Sequence, residues 1–328
     1  MRAVVIEGTR GMESLFVREV PEPEAVGDRV RVRVRAAGVN RADLMQALGR
    51  YPAPVGAPAD VPGLEFAGEV ERVGAECTGG WRVGDRVFGI VGGGGLAEKV
   101  VVPEGMAVRV PDRLRWEEAG AVPEAFLTAH DALVERGRVR PGERVLVHAA
   151  AGGVGLAAAG LARAMGCYVV GTSRTAAKRE HLVREGYVDR AVDPTQGDWP
   201  EEVVEATGGR GVDVVIDHVG ASAWEGNLRC LAMLGRVVVV GLLGGVKVSC
   251  DLRALMDRRA TVVGTVLRAR PLEEKIMATR AFAERVVPWL ERGVVRPVVD
   301  AVYELDQIRE AVARMASNEG FGRVVVRI

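Results

Sequence analysis

The sequence predicts an α/β protein in which a doubly wound parallel sheet is joined to a smaller, irregular β barrel. Three observations predict it. Residues 144–166 read RVLVHAAAGGVGLAAAGLARAMG: a short apolar run, a glycine-rich turn, and an alanine-rich segment too long for a strand. A second apolar run, residues 167–172, follows at once, so strand, helix and strand make a parallel βαβ unit. The N-terminal third carries short apolar or alternating runs cut by glycine turns, as a small barrel does.

Composition narrows the classes. A chain of 328 residues, 48% hydrophobic, can bury a large core and suits two domains better than one. Lys+Arg and Asp+Glu both total 44, so bulk charge gives no reason to expect nucleic acid or an anionic membrane as partner. Cys77, Cys167, Cys230 and Cys250 are scattered without a C-x-x-C, which reads as reduced thiols of a cytoplasmic protein rather than a zinc cluster or disulfide framework. The apolar run near Met1 is too short for a signal peptide, and none approaches a membrane span.

In chain order, Ala3-Val4-Val5-Ile6 reads as a strand. Residues 30–35 alternate Val and Arg strictly, a half-buried strand whose arginines form a solvated face. Gly38 breaks that strand and Asn40 can cap the helical turn after it. Asp43 reads as a capping or ion-pairing group. Residues 49–62 are a Pro/Gly-rich loop containing Tyr51. The four glycines 92–95 read either as a turn into a strand or as a flexible surface loop. Residues 117–133 look helical and include Thr128, whose hydroxyl can face a ligand or bond its own backbone.

The turn at 150–155 is a variant of G-x-G-x-x-G with Ala150 in the first glycine position. Gly152 lets backbone approach a pyrophosphate, Gly153 and Val154 open the helix, and Gly155 lets that helix pack on the strand. Free N–H groups and the positive dipole end then meet the phosphates. After the next strand comes GTSRTAAKR, residues 171–179, with no acid to hold ribose hydroxyls. Ser173, Arg174 and Lys178 suit a 2′-phosphate instead, which points to NADPH. Asp193, downstream, tells against that preference. Residues 211–220 and 234–241 read as two further strands of a sheet covered on both faces. Their ends, Val219 and Gly241-Leu242-Leu243, belong at the cofactor, because ligands sit at the carboxyl ends of parallel strands. Helices near 273–291 and 306–316 and a strand at 321–326 close the chain. None of the four histidines is assigned a catalytic role.

The chain resembles the medium-chain dehydrogenase/reductase family, specifically its zinc-free quinone oxidoreductases, over nearly its full length. Zinc alcohol dehydrogenases carry Cys where G-V-N-R-A-D has Asn40, and His where Gly63-Leu64-Glu65 has Leu64. Neither replacement can ligate zinc. Residues 216–225 (IDHVGASAWE) and 262–270 (VVGTVLRAR) are similar to the tumour-suppressor-induced quinone oxidoreductase subgroup.

The resemblance implies a Rossmann NADPH-binding domain at 124–266. It also implies a discontinuous GroES-like β-barrel domain at 1–123 and 267–328. It places Thr128, Leu267 and Arg268 near the nicotinamide or pyrophosphate. It implies a homodimer paired through edge strands, with residues 246–249 as candidate edge or, alternatively, an internal strand. A quinone accepting hydride develops charge on its oxygen, and Asn40 and Tyr51 are the candidate donors to it; Tyr51 can also merely pack its loop. The expected activity is NADPH-dependent reduction of a quinone. Reduction of an enone or enoyl group is the alternative, and a non-catalytic NADPH-binding protein is the alternative of another class.

Overall fold

The computed structural model describes all 328 residues, Met1–Ile328. The chain forms two compact units: Met1–Leu127 with Leu267–Gly293 and Pro297–Ile328, and Thr128–Val266 with Val294–Arg296.

The first unit opens with β1 (Arg2–Ile6), β2 (Leu15–Glu19), β3 (Arg29–Gly38), α1 (Arg41–Ala47), β4 (Glu65–Val73), β5 (Arg86–Ile90), β6 (Lys99–Pro103), β7 (Val108–Arg109) and α2 (Trp116–Gly120). Helix α3 (Pro123–His130) leads out of it and continues as a π-helical stretch, Asp131–Arg136. The second unit contains β8 (Arg144–Val147), α4 (Gly153–Ala164), β9 (Tyr168–Thr172), α5 (Ala176–Arg184), β10 (Arg190–Val192), α6 (Trp199–Ala206), β11 (Val212–Asp217), α7 (Trp224–Cys230), β12 (Leu231–Val239), α8 (Leu252–Arg258) and β13 (Thr261–Gly264). The chain then returns to the first unit with α9 (Leu272–Arg285), α10 (Val287–Arg292), β14 (Val299–Glu304), α11 (Ile308–Ser317) and β15 (Arg323–Arg327).

In the first unit the sheet runs β14-β15-β3-β4-β5-β7, with β6 also on β3. Strand β3 is its spine. Val30, Val32 and Val34 are fully buried. The intervening arginines pair across the sheet, Arg31 and Arg33 with Glu71 and Arg35 with Glu69. The alternation therefore separates a packed face from a solvated, ion-paired one. The glycines 92–95 are not a loose surface loop. Gly93 to Gly95 are buried, with the N–H groups of Gly94 and Gly95 donating to Val61 and Gly63 carbonyls.

In the second unit six parallel strands run β10-β9-β8-β11-β12-β13. Helices cover both faces, so β11 is buried at every position. Val170, Leu146, Val215 and Val237 from successive strands share one core with Trp199 and Val203 of α6. The order reverses between β8 and β11, and the crevice at the carboxyl ends there is where such sheets bind ligands.

Two expectations need correction. Residues 246–249 form no strand. The chain there is an exposed loop after β12, and the sheet edge is β13. Val246 and Val248 read as an apolar alternating strand, but this segment pairs with nothing, and alternation alone does not hold a strand. The helix expected over 273–291 is two, α9 and α10, because Pro288 removes a backbone donor and so starts the second one.

Candidate active site: an open dinucleotide edge and a closed polar cluster

The carboxyl edge of the parallel sheet collects the expected cofactor residues. Gly152, Gly153 and Val154 follow β8; Ser173, Arg174 and Lys178 follow β9; Val219 follows β11; Gly241, Leu242 and Leu243 follow β12. The last two loops are tied together: the N–H groups of Leu243 and Gly244 donate to the carbonyls of His218 and Val219, at 3.2 and 2.7 Å.

The two motif glycines differ in what needs them. A side chain on Gly155 would run into the Ala149 carbonyl and the Ala150 Cα, so the fold requires glycine there. Gly152 is exposed at α4's N-cap with φ −83°, and a Cβ there would make only ordinary contact with Ala149. Nothing in the protein needs Gly152 bare. The space above it is open to a group from outside, and a pyrophosphate on the turn would use it. The fold also holds the turn in a conformation L-residues resist, with Ala149 at φ +48°.

Beneath the turn lies a buried polar chain. His148 bonds Thr172 through Nδ1 at 3.0 Å and the Asn227 oxygen through Nε2 at 2.6 Å. Asn227 in turn donates to Asp217. The other Asp217 oxygen accepts the N–H groups of Val219 and Gly220. This chain joins the ends of β8, β9 and β11 and sets the loop that carries Val219. Burial pushes the His148 and His218 imidazoles below their ordinary range, His218 to about 4. Both stay neutral at physiological pH and add no charge beneath a nucleotide.

At the β9 end, Ser173 is buried, Arg174 exposed and Lys178 half-buried. Arg179, to which the sequence reading gave no role, reaches the Ser173 carbonyl at 2.8 Å and the Asp193 carboxylate at 2.9 Å. Thr128 is half-exposed on α3. The start of the π-helical stretch after it is anchored, because the Thr265 hydroxyl donates to Asp131 at 2.6 Å.

The first unit holds the remaining expected residues in a closed cluster. Asn40 is 7% exposed, and its side-chain amide donates to the Gly38 carbonyl and to Glu65 at 3.2 and 2.9 Å. Its oxygen accepts from Arg323 at 2.9 Å. Glu65 also accepts the Glu124 N–H and pairs directly with the Arg323 guanidinium. Gly38 makes room for that pair, since a Cβ there would overlap both side chains. Asn40 does stand at the N-cap of α1, but the capping bond runs from its backbone N–H to Asp43, whose other oxygen accepts the Gly63 N–H. Burial pushes the Asp43 carboxyl up to about 6 against those bonds and the positive charge of Arg268 and Arg323. Both amide hydrogens of Asn40 are thus committed inside the fold.

Arg268 is equally committed. It is 6% exposed and donates to the Gly92 carbonyl, the Tyr51 carbonyl and the Gln46 oxygen. Its guanidinium lies over the Tyr51 ring at 4.9 Å. Leu267, beside it, is buried in the same unit. Tyr51 itself is half-buried, and burial raises its phenol above the ordinary range although Arg268 pulls the other way. At neutral pH the phenol therefore keeps its proton and can donate it in a hydrogen bond.

The donor set does not fit zinc. Asn40 and Leu64 offer no sulfur or imidazole, and the nearby carboxylate, Glu65, is paired with Arg323. No group of three His, Cys, Asp or Glu side chains is arranged to hold a metal ion.

Glu65 and Arg323 are the residues whose role sequence reading missed. The available signal was an arginine opening the terminal strand ahead of three valines, which needs a carboxylate partner if that strand end is buried.

An all-parallel sheet with a glycine turn at its switch point, in one chain with a mostly antiparallel β unit, has the architecture on which dinucleotides bind. Two family models match: "Alcohol dehydrogenase GroES-like domain" over residues 27–112 and "Zinc-binding dehydrogenase" over 153–285. The chain is 34% identical to a quinone oxidoreductase of Pseudomonas aeruginosa, over 96% of each chain. It is 30% identical to quinone oxidoreductase-like protein 2 homolog of Nematostella vectensis, over 97% of this chain and 90% of that one. Among solved structures, an NAD-dependent alcohol dehydrogenase superposes with TM-score 0.90 at 32% identity, covering 100% of both chains. A mycobacterial protein solved with NADPH gives 0.89 at 27%, again over 100% of both. The enoyl reductase CurK gives 0.86 at 26%, over 99% and 98%. The chain belongs to the medium-chain dehydrogenase/reductase family and is an oxidoreductase with quinone oxidoreductase homologues.

Proposed function

We propose that this protein is an NADPH-dependent, metal-independent quinone reductase. One observation carries the reading: the carboxyl edge of the sheet combines an exposed, sterically unneeded Gly152 with Ser173, Arg174 and Lys178 and no unpaired acid among them. NADPH, when bound, supplies the hydride. The chain's residues do the rest. The α4 N-terminus and Gly152 hold the pyrophosphate. Ser173, Arg174 and Lys178 hold the 2′-phosphate by charge-assisted bonds. Val219 and Gly241 to Leu243 flank the ribose and nicotinamide end, and Thr128 lies at the nicotinamide. Tyr51 donates to the acceptor oxygen as charge develops there. Asn40 and Arg268 act as positioning residues, Asn40 through Glu65 and Arg323, Arg268 through Tyr51 and Gly92. Water completes protonation of the product.

The relatives named quinone oxidoreductase support a quinone as acceptor. The likeness to an enoyl reductase favours a second reading, hydride transfer to an activated carbon–carbon double bond. The protein also suits a cytoplasmic homodimer built on the β13 edge, where Val262 and nearby Met233, Leu252 and Met256 are exposed apolar side chains. The test is oxidation of NADPH and NADH, followed at their shared absorbance band, with a panel of quinones and enones. Turnover of quinones with NADPH supports the first reading, turnover confined to enones the second. Tight NADPH binding without turnover of either class contradicts both.

A further inference from the structure

We propose that Arg179 is a specificity-determining residue: by clasping Asp193 it lets the end of β9 accept a 2′-phosphate. The proposal rests on the NADPH reading above. Strands β9 and β10 are parallel neighbours in which Thr172 pairs with Val192. The next residues on each strand, Ser173 and Asp193, therefore come level, and the Ser173 N–H donates to the Val192 carbonyl at 3.1 Å. An acidic side chain thus stands beside the residues that would hold the phosphate, although it arrives from the third strand of the sheet rather than the second. Left alone, that carboxylate would repel a dianionic phosphate and favour free ribose hydroxyls.

It is not left alone. One oxygen, Oδ2, meets the Arg179 guanidinium at 2.9 Å. The other, Oδ1, accepts the Thr195 N–H at 3.0 Å and the Thr195 hydroxyl at 2.7 Å. The same Arg179 nitrogen bonds the Ser173 carbonyl at 2.8 Å, which fixes the cation between the two strand ends. Side chains of the pair are only 22% and 18% exposed, so water screens it incompletely. The Thr195 bonds and then Arg179 hold the Asp193 carboxyl below its usual range, so it is ionised whenever the cofactor binds. Arg179 cancels that charge, so Asp193 no longer offsets the exposed Arg174 guanidinium at the same strand end. Asp193, which counts against NADPH when read along the sequence, is thereby made compatible with it.

The test compares 2′,5′-ADP with 5′-AMP, two probes that differ only in the phosphate at issue, by calorimetry on the intact protein. In Arg179→Gln the dissociation constant for 2′,5′-ADP is expected to rise about tenfold, as one uncovered like charge at this range requires, with that for 5′-AMP nearly unchanged. The double variant Arg179→Gln/Asp193→Asn restores 2′,5′-ADP binding to near the wild-type value, because the charge that Arg179 cancelled is gone. That rescue separates electrostatic masking from a merely structural role at the Ser173 carbonyl. Equal loss for both probes, no loss in the single variant, or no rescue in the double overturns the proposal. A wild type that binds 5′-AMP at least as tightly as 2′,5′-ADP overturns the NADPH reading itself, and the clasp with it. A wild type that prefers 2′,5′-ADP while Arg179→Gln keeps that preference overturns the clasp alone.

Discussion

The residues expected at the site are spent in opposite ways in the two units. In the first, Asn40, Asp43, Glu65, Arg268 and Arg323 are buried and bonded to one another or to backbone. In the second, Gly152, Arg174, Leu242 and Leu243 stand exposed at the end of a sheet. Residue type does not separate the two sets, since each contains an arginine that a motif-based reading assigns to ligand. Counting where each donor goes does separate them. A guanidinium with its donors on Gly92, Tyr51 and Gln46 holds a fold together, whereas an exposed one beside a bare glycine turn is available to a phosphate.

If the first set is structural, breaking it costs stability before it costs chemistry. The largest effect belongs to Arg323→Met, which strands the buried Glu65 carboxylate and the Asn40 oxygen. Urea denaturation is expected to show a loss of roughly 3–5 kcal/mol; an unchanged midpoint would mean that the pair is dispensable.

Asp43 gives a pH signature to the same cluster. Its folded pKa, about 6, lies above the unfolded value. The folded state therefore binds that proton more tightly. The group's contribution to stability is fully present below about pH 4 and is lost as pH rises through 6, a swing of roughly 3 kcal/mol. Denaturation of wild type and Asp43→Asn at pH 4 and pH 7.5 reads it directly. The gap between them should shift by about that amount in the variant's favour at the higher pH, and a gap independent of pH would show Asp43 to be ionised throughout.

The glycines sharpen the contrast within one turn. Gly155→Val should destabilise the second unit by roughly 1–3 kcal/mol through overpacking against Ala149 and Ala150. Gly152→Val should leave the melting temperature in place and weaken cofactor binding about tenfold or more, measured by quenching of protein fluorescence. A Gly152 variant that melts early but binds normally would reverse the assignment. Tyr51, in the first unit, shares features of both sets: it is supported by Arg268 yet only half-buried. Tyr51→Phe should lower kcat about 10- to 100-fold with KM for NADPH unchanged, and an unaltered kcat would return Tyr51 to loop packing.

Much of the second unit was legible because its contacts are local. Strand, turn and helix lie within residues 144–166, and the periodicity of one run fixes its neighbour. The expected cofactor residues fall on a single edge because parallel strands deliver their ends together. The first unit's cluster was not legible, since Arg323 meets Glu65 across 258 positions of chain and no pattern in either segment names the other. Asn40 was read correctly as a helix start, but the spending of its amide on Glu65 and Gly38 depends on that distant pairing. Residues 246–249 show the opposite failure: a local pattern with strand character and no partner to make it one. Arg179 lies among the residues that suit a phosphate, but its counterpart, Asp193, follows the adjacent strand.

The basic set at the end of β9, exposed Arg174 and half-buried Lys178, is proposed to choose NADPH. Fluorescence titration of Arg174→Glu/Lys178→Glu with NADPH and with NADH tests it most directly. The dissociation constant for NADPH is expected to rise about 100-fold, near tenfold for each reversed contact, with that for NADH little changed. Equal weakening of both cofactors would contradict it.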